Sequence, residues 1–452
     1  MQPSRQHLRH TLAVTFLGLA GILTFQLSEL HEPPALAEMA LRPSVRTERR
    51  VALIPPANEL KPAAVASALQ RRDELLARTV TVEFTDDAGK KVGDWKIVMA
   101  DHPLWILFQR DAGGVVSIDR ERIKQELISY PPESVPAPKQ CTVLSAEADP
   151  QGVMRVKTDC IAKSGYTYDV VVAAEIAAAA VESGQEKASV PLVTVAASLT
   201  DPIHSPDKPL TLLSTGRSTF TGSGYGRKQN VRKAINEREH NILVPTDGIF
   251  AFNDTLGKVT VGNGWQMALT IFEGVNLRPA PGGGICQAST TVYRAALNAG
   301  LPILEQKSHS LYVSYYEPHG VGLDATVFPG LQDFKFKNDT GGPVLIQAYT
   351  EGDEVTVNMY GYDDHRTVTL TGPYFAGTAP QDLTVKGKKI GANQIVWMRS
   401  VEKQGAERLE DVISARYTAI PRSLPKKWTA TTVVTRGDTT KTAHVDVIAS
   451  DR

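Results

Sequence analysis

Gly282-Gly283-Gly284-Ile285-Cys286-Gln287-Ala288-Ser289-Thr290-Thr291 is the stretch on which the reading of this chain turns. Three successive glycines lack Cβ atoms, so the backbone is free to take positive φ and to let another group approach closely. The residues that follow predict a helix. Ala288, Val292, Ala295, Ala296 and Ala299 fall on one face at helical spacing, and Gly300 supplies a C-terminal stop. Cys286 then sits on the first turn, where unpaired N–H groups and the helix dipole favour a thiolate. Ser289 and Thr290, three and four residues on, share its face. Taken alone, the stretch fits a small core cysteine beside a glycine turn equally well.

Downstream, Ser308-His309-Ser310-Leu311-Tyr312-Val313-Ser314-Tyr315 reads as a strand that aligns His309 with Leu311, Val313 and Tyr315 on the face turned to the helix. Asp324, in Gly322-Leu323-Asp324-Ala325-Thr326-Val327, is expected on a neighbouring strand. Cysteine at a helix start, then histidine, then a carboxylate is a recurring order for nucleophilic cysteine catalysis. In that reading His309 reaches the sulfur, Asp324 fixes the imidazole tautomer, and the N–H groups of Ile285 and Cys286 serve a developing oxyanion. Arg227 and Asn253 are candidates to hold an anionic or amide-rich ligand, with a structural ion pair and a turn cap as their ordinary alternatives. Gly283, Gly284, Gln287, Ser289 and Thr290 surround the cysteine and complete the candidate substrate contacts. His319 lies in a loop beside Pro318 and Gly320, while His240 and His365 fit no ligand cluster. No metal-binding spacing occurs and no cofactor is expected.

The chain has 452 residues, enough for two or three domains, and carries 49 basic and 49 acidic side chains. Balanced charge gives no reason to expect a nucleic-acid partner. Arg5, Arg9 and His10 precede an uncharged apolar run from Thr11 to Leu27, and Ala35-Leu36-Ala37 resembles a cleavage pattern. Residues 1–37 are therefore expected to be a signal peptide or an uncleaved N-terminal membrane anchor, which makes the remainder extracytoplasmic, in the cell envelope. Cys141 and Cys160 flank one predicted hairpin and are expected to form a disulfide in an oxidising compartment, leaving Cys286 as the odd thiol.

The rest divides by composition. Residues 38–60 read as a Pro-rich linker. Residues 61–200 read as a small α+β domain: a helix at 63–77, strands at 79–84, 95–98, 168–171 and 190–197, and helices at 119–129 and 173–182. The motif-bearing α+β block covers 210–362, with the cysteine helix packed on an antiparallel sheet. A C-terminal β extension is expected at 363–420 and a loosely ordered polar tail at 421–452.

The motifs of the central block resemble the VanW domain family. They are Arg227 and Asn230 in R-x-x-N, Phe250 to Asn253 in F-x-F-N, Gly282 to Thr291, His309-Ser310, Asp324-Ala325-Thr326-Val327, and Asp333-Phe334-Lys335-Phe336-Lys337-Asn338. Pro245-Thr246-Asp247-Gly248 replaces the family's usual Pro-Gly-Glu turn, and the loop between Tyr315 and Asp324 is longer and carries His319. The segment before it resembles the module assigned to peptidoglycan binding that often precedes this domain. The resemblance implies a cell-wall context with peptidoglycan or its stem peptides as partner. It further implies an L,D-transpeptidase-like reaction in which Cys286 takes an acyl group from one stem peptide and passes it to an amine, giving a 3–3 cross-link. A non-catalytic peptidoglycan-binding or accessory role of the vancomycin-resistance type, and a cysteine amidase or endopeptidase, are the alternatives. The S/T-H-G-C string of the better-known L,D-transpeptidases is absent.

Overall fold

A helix of small residues lies at the centre of the molecule. The structure is a computed structural model and describes residues 61–109, 114–272 and 276–437, with the backbone of 439–444. The leader and linker expectations for residues 1–60 lie outside these. The cysteine helix, Ile285–Asn298, starts at Gly284 with φ of +115° and is buried around nearly its whole circumference. Such a helix needs neighbours on every side. Ala288, Ala295 and Ala296 let a strand come close, and the strand Ser205–Thr219 meets them with Gly216. A Cβ at Gly216 would lie 2.2 Å from the Thr291 carbonyl oxygen, so only glycine fits. The contact is tied by Ser214 Oγ donating to Ala295 O at 2.7 Å and Asn298 Nδ2 donating to Thr215 O at 3.0 Å.

The strand Ser205–Thr219 belongs to a closed barrel. Around it run Ser198–Asp201, Ser205–Thr219, Glu354–Gly361, Val344–Glu351, Ile242–Val244, Met154–Thr158 and Cys141–Ala148, and the circle closes where Leu199 pairs in parallel with Cys141. The disulfide Cys141–Cys160 is formed within this barrel wall. Strands on both sides of the boundary expected at 200–210 thus share one barrel, and the described residues form one compact unit.

The N-terminal layer has its own core. Strand Thr79–Thr85 pairs antiparallel with Lys91–Val98 and parallel with Lys187–Pro191, burying Val80, Val82 and Phe84 beneath Ala174, Ala177 and Val181 of helix Val170–Ser183. Asp169 caps that helix by accepting from Val171 N and Val172 N. The strand expected at 168–171 is therefore replaced by a cap and the first helical turn, with a short strand just before it at Gly165–Thr167.

The C-terminal segment forms a five-stranded sheet in the order Leu409–Arg416, Gln394–Glu402, Thr367–Tyr374, Thr431–Arg436, Thr439–His444. The tail expected from 421 contributes two of these strands, because it is rich in β-branched Thr and Val, which favour strands. Leu370, Phe375, Ile395, Trp397, Ala415 and Tyr417 of this region share one core with the cysteine helix. The chain is α+β throughout.

One buried acid loads this fold. Glu239 is fully buried behind the π turn Ala234–Arg238. Thr255 Oγ1 donates to Oε1, and Oε2 has no partner among the described residues. Burial pushes the carboxyl pKa up to about 8. An unfolded glutamate ionises at about 4.3, so the folded chain retains a proton that the unfolded chain loses. Stability should therefore fall as pH rises from about 4.5 to about 8, by at most about 1.4 kcal/mol per pH unit. Glu239→Gln is expected to flatten that dependence and raise the denaturation midpoint at pH 8. Chemical denaturation at several pH values checks this, and an unchanged profile would refute it.

Candidate active site

The structure brings Cys286, His309 and Asp324 together. His309 Nδ1 lies 2.5 Å from Asp324 Oδ2, which leaves Nε2 as the ring nitrogen open to Cys286, whose thiol it influences. Cys286 Sγ also donates to Val327 O at 3.5 Å and lies 3.8 Å from Thr326 Oγ1. His309 and Asp324 are buried, whereas Cys286 is half-buried. Burial resists ionisation of the thiol, but the hydrogen bond and positive field of His309 outweigh it, so the thiol pKa is lowered. Burial also opposes the imidazolium, yet Tyr316, Asp324 and Cys286 together raise the His309 pKa well above its usual value. The Asp324 carboxyl, despite burial, is held below the usual carboxylate range by His309, through ring and backbone N–H, and by Tyr417.

Neither His309 nor Asp324 lies on a strand, as the alternation had suggested. Both sit in irregular backbone, and residues 314–319 form a 3-10 helix. Side-chain bonds replace the ladder. His309 N donates to Asp324 Oδ2 at 2.7 Å, and Gln306 Nε2 donates to Asp324 O at 2.6 Å. The cysteine helix supplies the rest. Ser289 Oγ donates to Ala325 O at 2.6 Å, and Thr290 Oγ1 accepts from Ala325 N at 3.1 Å. Arg294, 3 % exposed, donates to the carbonyls of Leu323, Arg217, Tyr316 and Gly320 at 2.8–2.9 Å. One helix thus carries the nucleophile and fixes the loop that bears its carboxylate.

Several expected substrate contacts are therefore scaffold. Ser289 and Thr290 are fully buried against Ala325, and Gln287 is buried with Nε2 on Ser218 Oγ at 3.1 Å. Gly283 is buried, its carbonyl accepts from Asn230 Nδ2 at 3.0 Å, and a Cβ there would lie 2.7 Å from Leu269 O. Asn253 binds the turn before the strand Lys335–Lys337, taking Asp333 Oδ1 at its N–H and giving Nδ2 to Gln332 O at 2.9 Å. The Ile285 N–H, expected as an oxyanion donor, is committed to Gly282 O at 3.0 Å, which leaves Cys286 N–H of that pair. Gly284 and Arg227 remain at the rim, the Arg227 guanidinium 4.7 Å above the Tyr315 ring.

Tyr417 was not foreseen. Its hydroxyl donates to Asp324 Oδ1 at 2.5 Å, and the next residue bonds the histidine loop, Thr418 N to Ser310 O at 2.7 Å. Tyr316, whose ring centroid lies 5.5 Å from that of His309, was also missed. Nothing local marks Tyr417, whose contact with Asp324 is distant in sequence, whereas Tyr316 lies on the 3-10 helix that follows the histidine loop.

A half-buried cysteine on a helix start is thus backed by a buried histidine and a buried carboxylate. Residues 226–360 match the family model described as VanW like protein, so the chain carries a VanW-like segment. It is similar to "Uncharacterized protein YoaR" of Bacillus subtilis (strain 168), 35% identical over 144 residues, which is 32% of this chain. The chain spans about half the length of that relative, 46%. No solved structure matches.

The site predicts a measurable thiol titration. Alkylation of native Cys286 by iodoacetamide should show a midpoint below the ~8.5 of a free cysteine. In Asp324→Asn the amide has no charge to hold an imidazolium, so the midpoint should move up by about one unit or more and the rate at pH 7 should fall about tenfold. Equal midpoints in the two proteins would contradict the coupling.

Proposed function

We propose that the protein is an exported cell-wall acyltransferase that acts on peptidoglycan stem peptides, with Cys286 as nucleophile, His309 as acid–base and Asp324 as the residue that orients and charges it. The observation that carries this reading is the buried His309–Asp324 pair, Nδ1 to Oδ2 2.5 Å, whose imidazole lowers the pKa of the half-buried Cys286 thiol. A cysteine retained only for packing would need neither partner. The thiolate attacks a peptide carbonyl, the amine leaves with a proton from His309, and an acyl thioester remains. Attack by an acceptor amine then gives a cross-link of the L,D-transpeptidase type; attack by water would give an amidase or endopeptidase. Cys286 N–H, on the helix's first turn, is the donor available to the tetrahedral oxygen.

Export fits the Cys141–Cys160 disulfide, a bond that persists in oxidising compartments, and fits the apolar leader of the sequence. Among the described residues, no helix is long and apolar enough to cross a membrane.

Incubating the full chain with disaccharide-tetrapeptide should give an intact-mass increase equal to the acyl fragment, absent in Cys286→Ala and His309→Asn. Addition of an acceptor amine should discharge it to cross-linked product. If no adduct forms, and Cys286→Ala keeps full affinity for peptidoglycan, the protein is a binding or accessory component instead.

A further inference from the structure

The helix Tyr225–Lys233 carries four cations near its middle and end, and three are neutralised. Lys228 lies 2.5 Å and Arg232 3.3 Å from Asp353, and Lys233 lies 2.7 Å from Glu237. Arg227 differs. Its guanidinium bonds Ser223 Oγ at 2.9 Å and covers the Tyr315 ring, and among the described residues no carboxylate pairs with it.

Its position is set from two directions. A Cβ at Gly284 would lie 3.1 Å from Arg227 Cγ, so the arginine stem lies against the residue two before the nucleophile. The Tyr316 phenol, next in sequence to the ring under the guanidinium, feels the fields of Arg227, His309 and Cys286 together. A half-buried guanidinium with no carboxylate partner among the described residues thus stands beside the Cys286 helix start. Such a group matches a carboxylate in charge and in its forked geometry.

We propose that Arg227 reads a free C-terminal carboxylate and restricts the Cys286 site to bonds one residue from a peptide's end; this rests on the acyl-transfer reading above. An extended residue spans about 3.3–3.6 Å, so a carboxylate one residue past the attacked carbon stays close to the nucleophile and in front of the arginine. Cys286 Sγ bonds to the carbonyl carbon, the C–N bond to the terminal residue breaks, and His309 delivers its proton to the leaving amine. The terminal amino acid departs with its carboxylate on Arg227. Vacating that subsite opens the same side for an acceptor amine. An internal bond offers no charge there, which favours exchange at chain ends over endopeptidic cleavage.

The test uses the full chain and two disaccharide-tetrapeptides, one with a free terminal carboxylate and one with the same residue amidated. Thioester formation is followed by intact mass. The wild type should acylate at least about tenfold faster from the free acid, as a charge-assisted bidentate contact implies. Arg227→Gln should abolish that ratio, and Arg227→Lys should retain part of it. Equal rates from both donors in the wild type, or an undiminished ratio in Arg227→Gln, would overturn the inference and leave acyl transfer standing. No adduct from either donor would overturn both.

Discussion

A carboxylate almost sealed from water, Asp324, is the constraint around which the site is built. An ion in that position is tolerable only if its oxygens are filled by donors. Oδ2 receives the backbone and ring N–H of His309, and Oδ1 receives the Tyr417 hydroxyl. Those bonds decide which imidazole nitrogen remains for sulfur. They also favour the imidazolium, whose field lowers the pKa of a thiol that burial alone would push up. The lowered thiol pKa is thus a consequence of how a buried charge elsewhere in the chain is accommodated.

Arg294 faces the same problem with the opposite sign. Burial pushes its pKa down to about 10, and the nearby Asp324 charge supports its cationic form. Its donors are spent on four main-chain carbonyls, none on a carboxylate. The result is a loop whose shape depends on the cysteine helix rather than on strand pairing. Because Arg294 and Cys286 share that helix, a shift of the nucleophile would also shift the backbone that holds its carboxylate. The helix in turn is positioned by the strand bearing Gly216, so the barrel wall sets the alignment of the site.

This division explains what could be read from sequence. Helix period, glycine run and Cys286 are local features, and each has a local physical meaning: buried face, positive φ, first-turn dipole. The order Cys286, His309, Asp324 identified partners that meet. Their backbone was misread because His309, Leu311, Val313 and Tyr315 alternate as a strand does, while the hydrogen bonds that replace the ladder come from Ser289, Thr290 and Arg294. Ser289 and Thr290 looked like ligand contacts, since hydroxyls beside a nucleophile carry no sign of whether they face substrate or scaffold. Tyr417 lies 93 residues from Asp324, and no periodicity connects them.

The C-terminal sheet then takes on a larger meaning than an extension. The family match ends at residue 360, yet Tyr417 supplies a donor to the buried carboxylate and Trp397 Nε1 donates to Val321 O at 2.7 Å, pinning the loop that carries Asp324. Ile395 presses on Gly322 from the same sheet; a Cβ there would lie 2.7 Å from Ile395 Cγ2. Removing this sheet would leave Oδ1 of Asp324 without that donor and the loop without its outer wall. A buried carboxylate stripped of a donor is driven toward protonation, and a protonated Asp324 no longer charges His309. The site of this chain is therefore a property of the matched segment and the sheet together, and the motif residues alone do not specify the surroundings of Asp324.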